Sequence, residues 1–206
     1  MGEKPSGDVP VIVQICNKAI EERGIVHGIY RVSAGASKVH NLRSKLSSTT
    51  KVVDLKDEEP YTIAAVLKEY FRNLPGSLLG QTEMLNEVGV QGIEELKQYI
   101  ERLSPSYYRT AQWMFRHLSR LSEMCEVTSM TASNLAIVWA PNLFRSESTA
   151  PPHELVKSME KQRIVVEKII TNYNEIFSPT SALLLSTIFN PPHTASSKDA
   201  GYSKHT

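Results

Sequence analysis

Cysteine is scarce in this sequence, and so is an excess of charge of either sign. Two cysteines among 206 residues cannot build a disulfide framework, which predicts a reducing, cytoplasmic compartment. The 23 Lys and Arg residues nearly balance the 22 Asp and Glu residues, and the net charge of +1 argues against a nucleic-acid partner or a polybasic membrane patch. No run of about 18 apolar residues is present, so we expect no transmembrane segment.

The common catalytic motifs are also absent. The sequence contains no GxxxxGK[ST] phosphate loop, no GxSxG nucleophile elbow and no HExxH zinc motif. Its six histidines are scattered, and none stands four residues from another. We therefore expect no metal site and no nucleotide held in a P-loop of this chain.

Composition divides the chain into three zones. Residues 1–8 are small and polar and are predicted to form a disordered lead. Residues 9–177 carry apolar patterning throughout and are predicted to form one folded domain. Residues 178–206 are rich in Ser, Thr, Pro, Ala and His and are predicted to form a disordered tail. We take a monomer as the default state.

Apolar residues recur at helical spacing along the patterned zone. The clearest case is a stripe within 59–73, which Pro75 and Gly76 bring to an end. A first helix begins at Val11 and is closed by Gly24. Further helices are predicted over residues 36–46, 93–103, 107–125, 131–140 and 156–177. The 131–140 helix is almost wholly apolar, so we expect it to be central and buried and to stop before Pro141. No alternating segment of strand length competes, and the predicted fold is an all-α bundle of about seven helices.

One arginine occupies an unusual place between the first two helices. Residues 24–36 read GIVHGIYRVSAGA, with three glycines, and Arg31 is the only formal charge among them. Ile25, Ile29 and Val32 could hold such a loop against the core. Arg31 is then either an ordinary exposed residue or a side chain presented to a partner. A guanidinium suits the second role because it is always charged and offers planar, bidentate donors to phosphate oxygens.

Two further polar features stand on predicted helices. Lys68 and Arg72 are four residues apart, roughly opposite the apolar stripe, and form either a solvated basic face or a contact for an acidic or phosphate-bearing surface. Asn134 interrupts an otherwise apolar helix. It either bonds locally or faces water, or it offers an amide at a protein interface.

Four segments, in order and at family-like spacing, resemble signatures of the Rho GTPase-activating (RhoGAP) domain family. The segment HGIYRVSAGAS resembles the family's arginine-finger loop, and VHNLRSKL resembles the helix after that loop. The segments IAAVLKEYFRNLPGSLL and MTASNLAIVWAPNLF resemble two helical signatures of the family. The resemblance covers roughly residues 9–177 and implies an all-α fold with the finger loop between the first two helices. YYRTAQWMFRHLSRL and NLAIVWAPNLFRS are most similar to the subgroup that acts on Rac- and Cdc-type GTPases.

The resemblance also implies roles for individual residues. Arg31 corresponds to the catalytic arginine finger, which is inserted in trans into a GTP-bound Rho-family small GTPase. Lys68 and Arg72 correspond to the basic pair that supports the finger loop and the interface, and Asn134 corresponds to the interface asparagine. On this reading the chain is an activator rather than an enzyme. It needs no cofactor, because the partner GTPase holds GTP and Mg²⁺.

Some features depart from the family pattern and leave alternatives open. Ala34 stands where the family commonly has glycine, Ser77 replaces the second proline of the L-P-x-P-L motif, and few residues precede the first helix. Ala34 and the few residues before the first helix are compatible with a second hypothesis, a module that binds Rho-family GTPases without accelerating hydrolysis. A third hypothesis is a helical scaffold that binds a different partner through residues 178–206.

Overall fold

The structure is a computed structural model and describes residues 9–48, 53–81, 92–145 and 151–178. These residues form nine α-helices and no strand. The helices are α1 Val11–Arg23, α2 Ala36–Ser47, α3 Pro60–Arg72, α4 Ile93–Glu101, α5 Pro105–Glu123, α6 Cys125–Thr128, α7 Ala132–Leu143, α8 Pro152–Thr171 and α9 Tyr173–Ile176. No helix in the described ranges combines the length and apolarity that crossing a bilayer requires.

The all-α prediction is confirmed, and the extra helices arise where two predicted helices break. The predicted 107–125 helix divides at Met124, which separates α5 from the single turn of α6. The predicted 156–177 helix divides at Asn172, whose side-chain amide donates to the Lys168 carbonyl and caps α8. Residues 1–8 and 179–206, for which disorder was predicted, lie outside the described residues.

Proline and glycine set several helix boundaries. Pro60, Pro105 and Pro152 each occupy the first turn of a helix, where a backbone N–H needs no partner within the helix. Gly24 ends α1, and its N–H donates to the Ile20 carbonyl at 2.7 Å. A Cβ atom at Gly24 would lie 2.9 Å from the Ile20 Cα atom, so this close approach requires glycine.

The prediction that the helix after residue 131 stops before Pro141 is wrong. Pro141 lies inside α7, which continues to Leu143. Pro141 lacks an N–H group, but it and Ile137 lie on the exposed face, where water can satisfy the carbonyl that loses its donor. Beyond the proline, Phe144 N donates to the Ala140 carbonyl at 3.1 Å, which completes the turn. The expectation that this helix is buried is also only partly right, because Ile137 on its outer face is 56% exposed.

The buried side of α7 forms the centre of the domain. It packs on α8, on α3 and on α5. The fully buried Trp139 indole meets the rings of Tyr30 and Phe71 edge to face, with centroids 4.9 and 5.7 Å away. Tyr30 belongs to the loop between α1 and α2, so this aromatic cluster attaches that loop to the core.

Candidate functional site

The loop between α1 and α2 turns tightly and directs Arg31 outward. The backbone N–H groups of Arg31 and Val32 both donate to the Gly28 carbonyl at 2.9 Å. Ile29 and Tyr30 are completely buried, whereas Arg31 is exposed. Val32 is 40% exposed, so Tyr30 takes the anchoring role that the sequence suggested for Val32.

The Arg31 side chain lies over Gly28 and is available to a partner molecule. Gly28 has a φ of +68°, and a Cβ atom there would lie 2.8 Å from Val32 Cγ2 and 3.6 Å from Arg31 Nη2. Glycine is therefore required both by the backbone conformation and by the space. Within the described residues, the Arg31 guanidinium makes no hydrogen bond or ion pair.

Tyr30 fixes the backbone directly before Arg31. Its φ of +70° is rare for a residue with a bulky side chain. The ring packs against Trp139, and the hydroxyl lies 2.7 Å from Nε2 of His117. Burial raises the pKa of Tyr30 well above its ordinary value, so the side chain remains a neutral phenol. These contacts hold a conformation that the backbone alone disfavours.

Lys68 contacts the same loop from α3. Its ammonium Nζ donates to the Tyr30 carbonyl at 2.5 Å. Burial, and then the neighbouring charge of Arg72, lower the pKa of Lys68. A second α3 residue, Tyr61, donates its hydroxyl to the His27 carbonyl at 2.9 Å. Helix α3 therefore holds two carbonyls of the loop, on either side of Gly28.

Arg72 lies one turn further along α3 and contacts α7 instead of the loop. Its Nε donates to Oδ1 of Asn142 at 3.0 Å. The buried Asn142 also donates through Nδ2 to the Val138 carbonyl at 2.7 Å. Arg72 and Asn142 thus join α3 to α7 across the basic face.

Asn134 lies in the first turn of α7. Its backbone N–H donates to Oγ1 of Thr131, the N-cap residue, at 3.2 Å. Its side-chain Nδ2 donates to the Ser129 carbonyl at 3.1 Å. The residue before Ser129, Thr128, accepts a hydrogen bond of 2.6 Å from the N–H of Gly28 in the loop between α1 and α2. The turn before α7 therefore connects Asn134 to that loop.

The structure connects the predicted residues through intermediaries and not by direct contact. Lys68 reaches Arg31 through the Tyr30 backbone, and Asn134 reaches the loop through residues 128–129. Arg72 is linked to α7 alone by the contact described above. Within the described residues, no cluster of three His, Cys, Asp or Glu side chains could hold a metal ion.

Sequence reasoning missed the residues that support the loop and the Arg72 side chain from beneath. The sequence marks Tyr30 only as part of a motif, and His117 only as one of six scattered histidines. Asn142 carried no assignment. One signal was present for His117, because it interrupts the buried apolar face of α5 between Met114 and Leu118. A polar residue in such a position needs a partner, although the sequence does not say which.

Comparison with known families identifies the fold. The family model for the RhoGAP domain matches residues 10–148. The chain belongs to the RhoGAP family. The family prediction made from the four motifs is thus confirmed, and the first of those motifs lies in the loop between α1 and α2 of this RhoGAP chain.

Several curated proteins are similar to this RhoGAP chain. Rho GTPase-activating protein 32 of Xenopus laevis is 39% identical over 188 residues, which cover 83% of this chain and 10% of that protein. Rho GTPase-activating protein 31 of Homo sapiens is 34% identical over 192 residues, which cover 85% of this chain and 13% of that protein. GTPase-activating protein rrc-1 of Caenorhabditis elegans is 34% identical over 182 residues, which cover 82% of this chain and 24% of that protein. The chain therefore spans a quarter or less of the length of these relatives.

Solved structures share the fold. The crystal structure of human Rho GTPase activating protein 15 superposes with a TM-score of 0.74 at 28% identity, covering 83% of this chain and 85% of that one. The BH domain of GRAF, the GTPase regulator associated with focal adhesion kinase, gives a TM-score of 0.73 at 27% identity, covering 82% and 94%. Both match the RhoGAP domain over most of its length.

Proposed function

We propose that this RhoGAP domain is a GTPase-activating protein for Rho-family small GTPases and inserts Arg31 in trans into the active site of its partner. The observation that carries the proposal is the presentation of Arg31. Its side chain is exposed, while the residue before it is completely buried and bonded at both its carbonyl and its hydroxyl. An arginine on so well-supported a backbone can enter another protein with little loss of order.

The charge of Arg31 accounts for the acceleration. Hydrolysis of GTP spreads negative charge over the transferring phosphoryl group and the leaving oxygen in the transition state. The partner GTPase supplies GTP, Mg²⁺ and the attacking water, so this chain needs no cofactor of its own. A guanidinium placed at that charge in a site shielded from water stabilises the transition state over the ground state. Arginine fingers contribute about 10³- to 10⁵-fold to kcat in GTPases.

Lys68, Arg72 and Asn134 form the rest of the proposed interface. Lys68 holds the carbonyl next to Arg31, and Arg72 adds positive charge on the neighbouring turn of α3. Asn134 offers the oxygen of its amide, whose nitrogen is already bonded to Ser129. We assign a GTP-bound Rac- or Cdc-type GTPase as the partner and propose that the chain acts as a monomer in the cytoplasm, as a regulator and not as an enzyme in its own right.

The structure removes one of the observations that supported the alternative, a non-catalytic binding module. Ala34 is one of its two supports, because the family commonly has glycine there. Ala34 does not adopt a positive φ, so alanine fits its backbone as well as glycine would. A Cβ atom at the following Gly35 would have no neighbour within 4 Å, so the loop is not crowded at this point.

Single-turnover GTP hydrolysis tests the proposal. We expect the purified chain to accelerate hydrolysis by at least one of the Rho-, Rac- and Cdc-type GTPases, and Arg31→Ala to lose about 10³-fold or more of the acceleration because the transition-state charge is left uncompensated. Arg102→Ala is the matched control, since it removes an exposed arginine at the end of α4. Binding of the GTP-loaded partner with no acceleration by the wild-type chain would support the non-catalytic module instead.

A further inference from the structure

A chain of buried polar groups runs beneath the finger loop and ends on the α1 surface. The Tyr30 hydroxyl lies 2.7 Å from Nε2 of His117, and Nδ1 of His117 lies 2.8 Å from Oε1 of Glu21. Oε2 of Glu21 accepts a hydrogen bond of 2.9 Å from Arg120. His117 is 1% exposed and Tyr30 is fully buried, so water cannot replace either partner of their hydrogen bond.

The partners of His117 determine which nitrogen donates. A carboxylate can only accept hydrogen bonds, so Nδ1 of His117 carries the proton that Glu21 accepts. In the neutral imidazole, Nε2 is then an acceptor, and the Tyr30 hydroxyl donates to it. Burial would raise the pKa of Glu21, but the hydrogen bond from His117 and the charge and hydrogen bond of Arg120 outweigh it, so that pKa is lowered. Glu21 therefore stays ionised near neutral pH and orients the ring.

Tyr30 is held at both ends. Its carbonyl accepts a hydrogen bond from the Lys68 ammonium, and its hydroxyl donates one to His117. Its backbone has a φ of +70°, a conformation that a side chain of this size adopts only when its surroundings impose it. Because Arg31 follows directly in the chain, a rotation at Tyr30 would move the start of the Arg31 side chain.

We propose that His117, oriented by Glu21, is a positioning residue for the arginine finger and acts on Arg31 through the hydroxyl of Tyr30. This inference rests on the proposed GTPase-activating function. His117 is buried on α5 and makes no contact with the partner; its effect is to keep the backbone at Tyr30 in the orientation from which Arg31 can reach the transferring phosphate.

Four substitutions separate positioning from general stability. Tyr30→Phe removes only the hydroxyl and leaves the ring packed on Trp139. His117→Phe removes both ring nitrogens. His117→Gln can place an amide oxygen near the position of Nε2 and accept from Tyr30, whereas His117→Asn can keep a donor near Nδ1 for Glu21 but does not reach Tyr30.

Two control substitutions match these changes elsewhere in the domain. Tyr107→Phe removes a hydroxyl that donates to the Pro75 carbonyl at 2.8 Å, away from the finger loop. His153→Gln changes an exposed histidine near the start of α8, whose side chain is 70% exposed. We expect both controls to behave like the wild-type chain.

The rate measurement compares kcat with affinity. We expect Tyr30→Phe, His117→Phe and His117→Asn to lower kcat for activated GTP hydrolysis by about tenfold or more, since a misplacement of about 1 Å can cost about 100-fold. Affinity for a GTPase loaded with a non-hydrolysable GTP analogue should be unchanged, and His117→Gln should recover most of kcat. An unchanged kcat in Tyr30→Phe, His117→Phe and His117→Asn would overturn the proposal. Equal losses of kcat and affinity in these variants would also overturn it.

Hydrogen–deuterium exchange supplies a readout that does not depend on activity. We expect Tyr30→Phe and His117→Phe to speed exchange at the amides of residues 28–33 and to leave peptides of α8 as they are in the wild-type chain. Unaltered exchange in 28–33 would overturn the positioning role. If the wild-type chain activates no GTPase, the proposed function fails, and exchange alone still decides whether His117 orders the loop.

Discussion

Tyr30 combines a disfavoured backbone conformation with complete burial. A bulky residue at positive φ costs on the order of 1–3 kcal/mol. Here the aromatic contact with Trp139 and the bonds to Lys68 and His117 offset that cost. Glycine would relax the backbone and lose every side-chain contact. The identity of the residue before Arg31 is therefore determined by its side-chain contacts and not by its backbone preference.

Asn134 offers a prediction at the same scale. Asn134→Ala should weaken the affinity for a GTP-loaded partner because it removes a partly exposed amide at the proposed interface. The lost bond to the Ser129 carbonyl is exposed, so the free energy of unfolding should fall by about 1 kcal/mol at most. Titration of analogue-loaded GTPase and urea unfolding measure the two effects, with Asn41→Ala on α2 as the control. Normal affinity combined with a clear loss of stability would make Asn134 a local cap only.

At the scale of elements, the departure at Ser77 has a structural counterpart. Ser77 has a φ of +59°, whereas proline is restricted to about −65°. Its hydroxyl lies 2.6 Å from the Gly76 carbonyl and 2.8 Å from the Gly80 carbonyl and can donate its one proton to either, so a side chain closes the turn after α3. The family's proline could not occupy this backbone, which means that the turn after α3 has its own conformation in this chain.

The junction of α3 and α7 yields a prediction about stability. Asn142→Ala should lower the free energy of unfolding by about 1–3 kcal/mol, because it removes the buried amide oxygen that accepts from the Arg72 guanidinium and the amide nitrogen that donates to the Val138 carbonyl. Urea unfolding should give a lower midpoint with an unchanged slope. Asn174→Ala, at an exposed position of α9, serves as the control. A midpoint equal to that of the wild-type chain would mean that this junction adds nothing to stability.

For the molecule as a whole, local pattern predicted more than long-range contact. Periodicity placed most helix ends within a few residues, because each apolar stripe is a local property of the chain. Proline was the exception, since the effect of Pro141 depends on which face of α7 meets water. Tyr30 and His117 are 87 residues apart, and no spacing rule connects them. The motifs located Arg31 without indicating what supports it, and the roles of Arg31, Lys68, Arg72 and Asn134 stay predictions.

A prediction for the whole domain concerns Trp139. Trp139→Ala should lower the free energy of unfolding by about 3–5 kcal/mol, because it opens a cavity at the meeting point of the loop, α3 and α7. Trp113→Ala removes the same atoms from a partly buried position on α5 and should cost less. Chemical unfolding measures both variants. Equal losses would argue against Trp139 as the centre of the core.

The loop between α1 and α2 cannot be moved to another protein as a short motif. A protein engineer who transplanted residues 24–35 into another helical protein would carry over Arg31 but leave behind Lys68 on α3, His117 on α5 and the Thr128 carbonyl at the end of α6. The smallest unit worth transplanting runs from α1 to α7. By the same logic, a sequence search that scores only the residues around the arginine would accept chains that cannot hold it in place.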